Sequence, residues 1–194
     1  MKLYYAPGAC SLADHIALLE VGVPFDTERV DLKTKTTASG ADFKTVNPKG
    51  YVPALVLDDG EVITENIAVL DWIAARCPPL GVAGALGRTR MLEALAFIST
   101  EIHRAFKPLW HGGSDDEKAK ARTTIAALFR HLAERPRSDF LLGTQMSVAD
   151  CYLFVMLRWA ARFGVEVPEP LRALQSRMES RPSVQRALQI ESAG

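Results

Sequence analysis

Residues 54–68 of this 194-residue chain read ALVLDDGEVITENIA, and this stretch decides the fold of the N-terminal part. Short apolar runs on either side of Asp58-Asp59-Gly60 are typical of two antiparallel strands joined by a tight turn. Apolar residues then recur at helical spacing from Glu65 to about Arg76. The stretch therefore predicts a β-β-α unit.

A strand–helix–strand pattern precedes this unit. Residues 3–5 are a short strand candidate, and residues 25–32 are a second one with charges at alternate positions. Between them a helix is predicted to begin at Ser11, whose hydroxyl we expect to cap it, and to end at Gly22. Because a helix joins the two strands, they should be parallel. A short helix is expected near residues 42–46.

The composition changes after the second predicted helix. Gly and Pro are concentrated in residues 80–87, as in a linker between an α/β domain over 1–79 and an all-α domain over 88–194. Helices are predicted over residues 88–110, from the Ser114 capping box, over 147–163, over 171–180 and over 183–190. The helix over 147–163 is apolar on nearly all sides, so we expect it to be central and buried.

Composition and charge exclude several classes of protein. The chain has 23 Lys+Arg against 23 Asp+Glu and 48% hydrophobic residues, which argues against disorder and against a nucleic-acid partner. No signal peptide or membrane span is expected. Three widely spaced cysteines make a poor disulfide framework and favour a cytoplasmic location. No Cys/His cluster has the spacing of metal ligands, so no metal is expected.

Cys10 lies in the Pro7-Gly8-Ala9-Cys10-Ser11 segment between the first strand and the first helix. A thiol at a helix N-terminus faces unpaired N–H groups and the positive end of the dipole, so we expect its pKa to fall. Ala13 stands where the second cysteine of a dithiol pair would be, which leaves a small external thiol as disulfide partner. Alternatively, Cys10 is a small packed residue, the interpretation we favour for Cys77 and Cys151.

Four further motifs follow in a specific order: NPKGYVPAL at 47–55, ITENIA at 63–68, SVAD at 147–150 and RPSV at 181–184. With the opening from Lys2 to Ser11, they resemble the cytosolic glutathione S-transferases, most of all the bacterial beta class, over nearly the whole chain. The resemblance implies a glutathione transferase fold. It comprises a thioredoxin-like glutathione-binding domain, an all-α domain that supplies the pocket for the second substrate, and assembly as a homodimer.

The resemblance also implies roles for individual residues. Cys10 is the first catalytic candidate, Ser11 the second and Tyr5 the third, and His103 should face the cysteine. The Val52–Pro53 bond should be cis, with the Val52 backbone bound to the cysteinyl part of glutathione. The implied glutathione-binding residues are Lys35, Val52, Pro53, Glu65, Asn66, Thr100, Glu101 and Arg104, some of them from the other subunit.

Each assignment has an alternative. Lys35 should contact the glycyl carboxylate, but a solvated charge is also expected of a lysine in a polar loop. Glu65 and Asn66 should bind the γ-glutamyl end, although Thr64 as an ordinary helix cap fits the same residues. Ala96 departs from the family, which often has Asn seven residues before the histidine.

The second substrate should be a small hydrophobic electrophile. The candidate pocket residues are Phe106, Trp110, Trp159 and Phe163, which are equally suited to an ordinary core. The leading hypothesis is therefore a glutathione transferase in which the glutathione thiolate attacks the electrophile. Two alternatives stay open: a monothiol glutathione-dependent thiol–disulfide oxidoreductase or peroxidase that acts through Cys10, and a non-enzymatic transferase-like binding protein.

Overall fold

A five-stranded mixed sheet forms the N-terminal part of the computed structural model, which describes residues 1–134 and 138–193. Its strands are β1 (Lys2–Tyr5), β2 (Asp26–Asp31), β3 (Thr36–Thr37), β4 (Ala54–Val56) and β5 (Val62–Thr64), in the spatial order β3-β2-β1-β4-β5. β1 pairs with β2 in parallel, and β4 pairs with β5 in antiparallel fashion. Both predicted pairings are thus confirmed.

β3 is a strand that the sequence pattern does not predict. Its two residues pair antiparallel with the end of β2, where Val30 lies opposite Thr37. Two residues are too few to show an alternating pattern, so the polar stretch conceals the strand. The short helix expected near residues 42–46 is a 3₁₀ turn over Phe43–Thr45, with Phe43 fully buried.

The helices surround this sheet and extend from it. They are α1 (Leu12–Val21), α2 (Asn66–Arg76), α3 (Gly87–Phe97), α4 (Lys107–Trp110), α5 (Asp115–Ala133), α6 (Val148–Phe163), α7 (Glu169–Glu179) and α8 (Pro182–Ala193). α1 packs against α2, α6 and α8. One hydrophobic core runs from Leu3 in β1 to Ala187 in α8, so the α/β and helical parts share it.

The predicted division into two domains separates elements that share this core. The predicted linker over 80–87 lies between a 3₁₀ helix (Pro78–Leu80) and α3. The division into 1–79 and 88–194 stays a prediction, and residues 135–137 and 194 of the second range lie outside the described residues.

The prediction of a single helix over residues 88–110 is wrong. α3 ends at Phe97, a π-helical segment follows over Ile98–His103, and α4 begins only at Lys107. Pro108 explains the second break, because a proline lacks the N–H that a continuous helix would use. π-helical turns are rare and occur frequently at functional sites, and this one ends at His103.

α6 is the buried central helix that the sequence predicts. Its first turn is fixed by Asp150, whose Oδ2 accepts hydrogen bonds from the Ser147 N–H and hydroxyl, both at 2.8 Å. Oδ1 of the same carboxyl accepts from the Leu141 N–H at 2.7 Å. Asp150 therefore holds both the start of α6 and the preceding loop. The Ser114 capping box at the start of α5 is also confirmed, here on the surface.

Candidate active site

A cleft of about 590 Å³ opens where the loop between β1 and α1 meets the start of α2 and the helical part. It brings together these predicted residues: Cys10, Lys35, Val52, Pro53, Glu65, Asn66, His103, Trp110 and Trp159. Residues that the sequence analysis did not name also line it, among them Ser99, His111 and Tyr152. The cleft is therefore the candidate site.

Cys10 lies half-buried in the cleft, two residues before α1 begins. Its Sγ donates a hydrogen bond to the carbonyl oxygen of Val52 at 3.6 Å. Burial, reinforced by the nearby Asp14 carboxyl, raises the pKa of the Cys10 thiol to about 12. The expected lowering of this pKa is wrong for the ligand-free protein, because the N–H groups of Cys10 and Ser11 offset only part of the cost of burying a thiolate.

Ser11 and Tyr5 do not line the cleft. The Ser11 side chain is fully buried and turns back toward β1, where its hydroxyl accepts a hydrogen bond from the Ala6 N–H at 3.3 Å instead of capping α1. Tyr5 points to the core side of β1, and its ring lies 5.5 Å from that of His15. The structure therefore does not support the second and third catalytic candidates.

The loop before β4 forms one wall of the cleft. The Val52–Pro53 peptide bond is cis, as the resemblance implies. Lys35 reaches this loop and donates a hydrogen bond from Nζ to the Gly50 carbonyl at 2.9 Å, with Nζ 5.4 Å from the centre of the Tyr51 ring. Lys35 is thus held beside the cleft and is not merely a solvated charge.

The N-terminus of α2 forms the opposite end. Glu65 occupies the cap position with φ +74°, so the cap is not Thr64, and its carboxylate pairs with Lys49 at the surface. Asn66 is 7% exposed, and both polar atoms of its side chain lack a hydrogen-bond partner in the described residues. A buried amide left unpaired costs about 1–3 kcal/mol, so a ligand that pairs with it recovers free energy. Helix N-termini favour anions.

His103 ends the π-helical segment and faces the cleft from the helical part. Its Nδ1 lies 2.7 Å from the Tyr152 hydroxyl, and its ring meets Trp159 edge-on at 4.9 Å between centroids. Burial lowers the pKa of His103 and raises that of Tyr152, so both groups are neutral near neutral pH. The sequence offered one signal for Tyr152: a hydroxyl in an otherwise apolar helix needs a partner.

Three predicted ligand-binding residues lie away from this cleft. Thr100, Glu101 and Arg104 are exposed to solvent, and none lines it. Ala96, where the family often has Asn, is exposed as well. Any contact of these residues with glutathione in this chain's own cleft is therefore unsupported, and a contribution to a partner subunit stays a prediction.

The aromatic end of the cleft differs in part from the prediction. Trp110 and Trp159 line it, with ring centroids 5.2 Å apart. Phe106 is fully buried behind Trp159 at 5.4 Å, and Phe163 packs against Trp110 at 4.8 Å. Phe106 and Phe163 therefore support the two tryptophans and do not line the cleft.

A hydrogen-bonded chain ties the Cys10 loop to the helical part. Trp159 Nε1 donates to the Gly8 carbonyl at 2.8 Å, and the Gly8 N–H donates to Glu191 Oε2 at 2.8 Å. The other oxygen of Glu191 lies 3.1 Å from His15 Nδ1 in α1. Hydrogen bonds therefore link the Cys10 loop to both α6 and α8.

The described residues contain no candidate metal-binding cluster. Nowhere in residues 1–134 and 138–193 do three or more His, Cys, Asp or Glu side chains gather as a metal site would need. Across the same ranges, none of the helices is both long and apolar enough to pass through a lipid bilayer.

Comparisons with known proteins identify the family. The chain matches the glutathione S-transferase N-terminal domain over residues 9–76 and the C-terminal domain over residues 91–182. It is 39% identical to glutathione S-transferase GstA of Escherichia coli O157:H7, with 98% of each chain covered. The chain belongs to the glutathione S-transferase family.

Solved structures of glutathione S-transferases agree with this assignment. A sphingomonad glutathione S-transferase complexed with glutathione is 45% identical, with a TM-score of 0.92 and full coverage of both chains. A beta-class glutathione S-transferase of Sphingomonas chungbukensis is also 45% identical, with a TM-score of 0.88 and full coverage. The predicted glutathione transferase fold and the likeness to the beta class are thus confirmed.

Proposed function

We propose that this protein catalyses the attack of the glutathione thiolate on small hydrophobic electrophiles. The observation that carries the proposal is the arrangement of the cleft. It places a cation, a helix N-terminus with an unpaired amide, a thiol and two tryptophans around one cavity of about 590 Å³. Glutathione is the co-substrate, and the reaction needs no metal.

The charges of the cleft match those of glutathione. Lys35 would bind the glycyl carboxylate, and Glu65 would exchange its surface partner Lys49 for the γ-glutamyl ammonium. Asn66 and the first N–H groups of α2 would bind the γ-glutamyl carboxylate. The backbone of Val52 would pair with the cysteinyl residue in the middle.

This placement puts the glutathione sulfur next to Cys10 and His103. Because burial keeps Cys10 protonated, its thiol would donate a hydrogen bond to the glutathione thiolate and lower the pKa of the bound thiol. Trp110 and Trp159 would hold the electrophile within reach of that sulfur. Catalysis would then consist of thiolate stabilisation and positioning.

Cys10 also supports a second candidate function. A half-buried thiol in a glutathione cleft is suited to exchange with a glutathione disulfide: the thiolate of Cys10 attacks one sulfur, and one glutathione leaves as its thiolate. The raised pKa of Cys10 disfavours this route, because the thiolate is the attacking species. Conjugation is therefore the function that the geometry supports better.

Substitution of Cys10 by Ala tests both functions. We expect Cys10→Ala to lower conjugation of an aryl chloride with glutathione and to abolish glutathione-dependent reduction of a small disulfide. Cys77→Ala, which removes a half-buried thiol outside the cleft, is the matched control. If both activities of Cys10→Ala equal those of the unaltered protein, Cys10 is not the catalytic group. If neither the unaltered protein nor Cys77→Ala turns over either substrate, a non-enzymatic binding protein is the better interpretation.

We also propose a homodimer in a reducing, cytoplasmic setting. The described cysteines are free thiols, which suits that compartment. Thr100, Glu101 and Arg104 are exposed and thus available to a partner's cleft. Sedimentation of the protein at micromolar concentration tests the dimer, and a single species with the mass of one chain would refute it.

A further inference from the structure

Tyr152 and His103 form a short polar contact in the lining of the cleft. Tyr152 projects from the central helix α6, and its hydroxyl oxygen lies 2.7 Å from Nδ1 of His103 on the π-helical segment. The two rings are nearly perpendicular, at 86°. Tyr152 is only 1% exposed, so water competes little for its hydroxyl.

The direction of this hydrogen bond follows from the acidity of the two groups. Burial raises the pKa of Tyr152 and lowers that of His103, so a neutral phenol meets a neutral imidazole. A phenol hydroxyl is the better donor of the pair, and an unprotonated imidazole nitrogen is the better acceptor. Tyr152 therefore donates, Nδ1 accepts, and the single ring proton of His103 is on Nε2.

We propose that Tyr152 is a positioning residue that sets the tautomer of His103 and thereby presents its Nε2–H to the glutathione sulfur. The proposal deepens the proposed function and rests on it for the identity of the ligand. With Nδ1 engaged, Nε2 is the ring nitrogen left to meet a ligand in the cleft that His103 lines. Trp159 restrains the same ring, since it packs edge-on against His103 at 87°.

The hydroxyl should matter more for turnover than for binding. An Nε2–H donor stabilises the sulfur most when the sulfur carries negative charge, and a mixture of tautomers would offer that donor only part of the time. Removal of one such hydrogen bond corresponds to a loss of about three- to tenfold. Glutathione itself would still be held at its two ends by Lys35 and Asn66.

The kinetic test combines Tyr152→Phe with His103→Gln. We expect Tyr152→Phe to lower kcat about three- to tenfold and to change the KM for glutathione by less than about twofold. In the His103→Gln background, the same tyrosine substitution should change kcat by less than about twofold. Tyr4→Phe is the matched control, because Tyr4 packs on Phe43 away from the cleft. An equal loss in both backgrounds would overturn the proposal, since Tyr152 would then act without His103.

A spectroscopic test needs neither substrate nor turnover. Long-range ¹H–¹⁵N NMR spectra distinguish the two neutral tautomers of a histidine, and the signal missing in His103→Gln assigns His103. We expect Nε2–H in the unaltered protein and a mixed or reversed tautomer in Tyr152→Phe. Nδ1–H in the unaltered protein would refute the proposal. A failure of glutathione to bind would instead remove the proposed function and leave the tautomer result intact.

Discussion

The reactivity of Cys10 can be predicted from its surroundings. Burial, with a smaller contribution from the nearby Asp14 carboxyl, raises its pKa from 9.0 to about 12. Near neutral pH its thiolate fraction is then about a thousandfold smaller than that of an ordinary cysteine. The thiolate is the nucleophile, and its intrinsic reactivity rises with the pKa of the thiol. Iodoacetamide should therefore alkylate Cys10 in the ligand-free protein about 30- to 60-fold more slowly than it alkylates N-acetylcysteine.

Mass spectrometry of the alkylated Cys10 peptide, followed from about pH 6 to pH 10, measures this rate. We expect the logarithm of the alkylation rate to keep rising with pH and to reach no plateau in this range. The variant Cys77→Ala is the control and should leave the Cys10 rate unchanged. A plateau that begins below neutral pH would refute the reasoning, because it would show a thiolate already stabilised without ligand.

Two further predictions concern stability. Asp150→Ala should lower the free energy of unfolding by about 3–5 kcal/mol because it leaves the N–H groups of Ser147 and Leu141 unpaired. Glu117→Ala in the exposed capping box of α5 should cost much less, and equal losses in urea titrations at one protein concentration would contradict this account. Burial raises the pKa of Asp14 well above 3.8, so the free energy of unfolding falls as pH rises from that value through the folded-state pKa. The variant Asp14→Asn should therefore gain stability relative to the unaltered protein as pH rises from about 4 to 8. Parallel stability curves over this range would show that Asp14 is not buried as a neutral acid.

The sequence predicts the fold wherever a pattern is long enough to repeat. The hairpin around Asp58-Asp59-Gly60 and the capped, apolar helix from Ser147 are both confirmed, because turn residues and helical spacing act locally. β3 was missed, since a two-residue strand exists only through its pairing with β2. The π-helical segment is also not predicted, because Ile98–His103 shows ordinary helical spacing in the sequence.

The sequence likewise predicts part of the candidate site and not the rest. Motifs placed Cys10, Lys35, Val52 and Asn66 at one cleft, which the structure contains. The predicted lowering of the Cys10 pKa is wrong, because the sequence shows the helix N-terminus nearby but does not show how deeply the folded chain buries the thiol. Tyr152 was missed because its role depends on a neighbour 49 residues earlier in the sequence.

Calorimetric titration of the protein with glutathione tests the central claim most directly. The account predicts saturable binding of one glutathione per chain, and binding at least about tenfold weaker for the dipeptide Cys-Gly, which lacks the γ-glutamyl group that Glu65 and Asn66 should hold. No heat of binding at millimolar glutathione would contradict the claim that this cleft is a glutathione site.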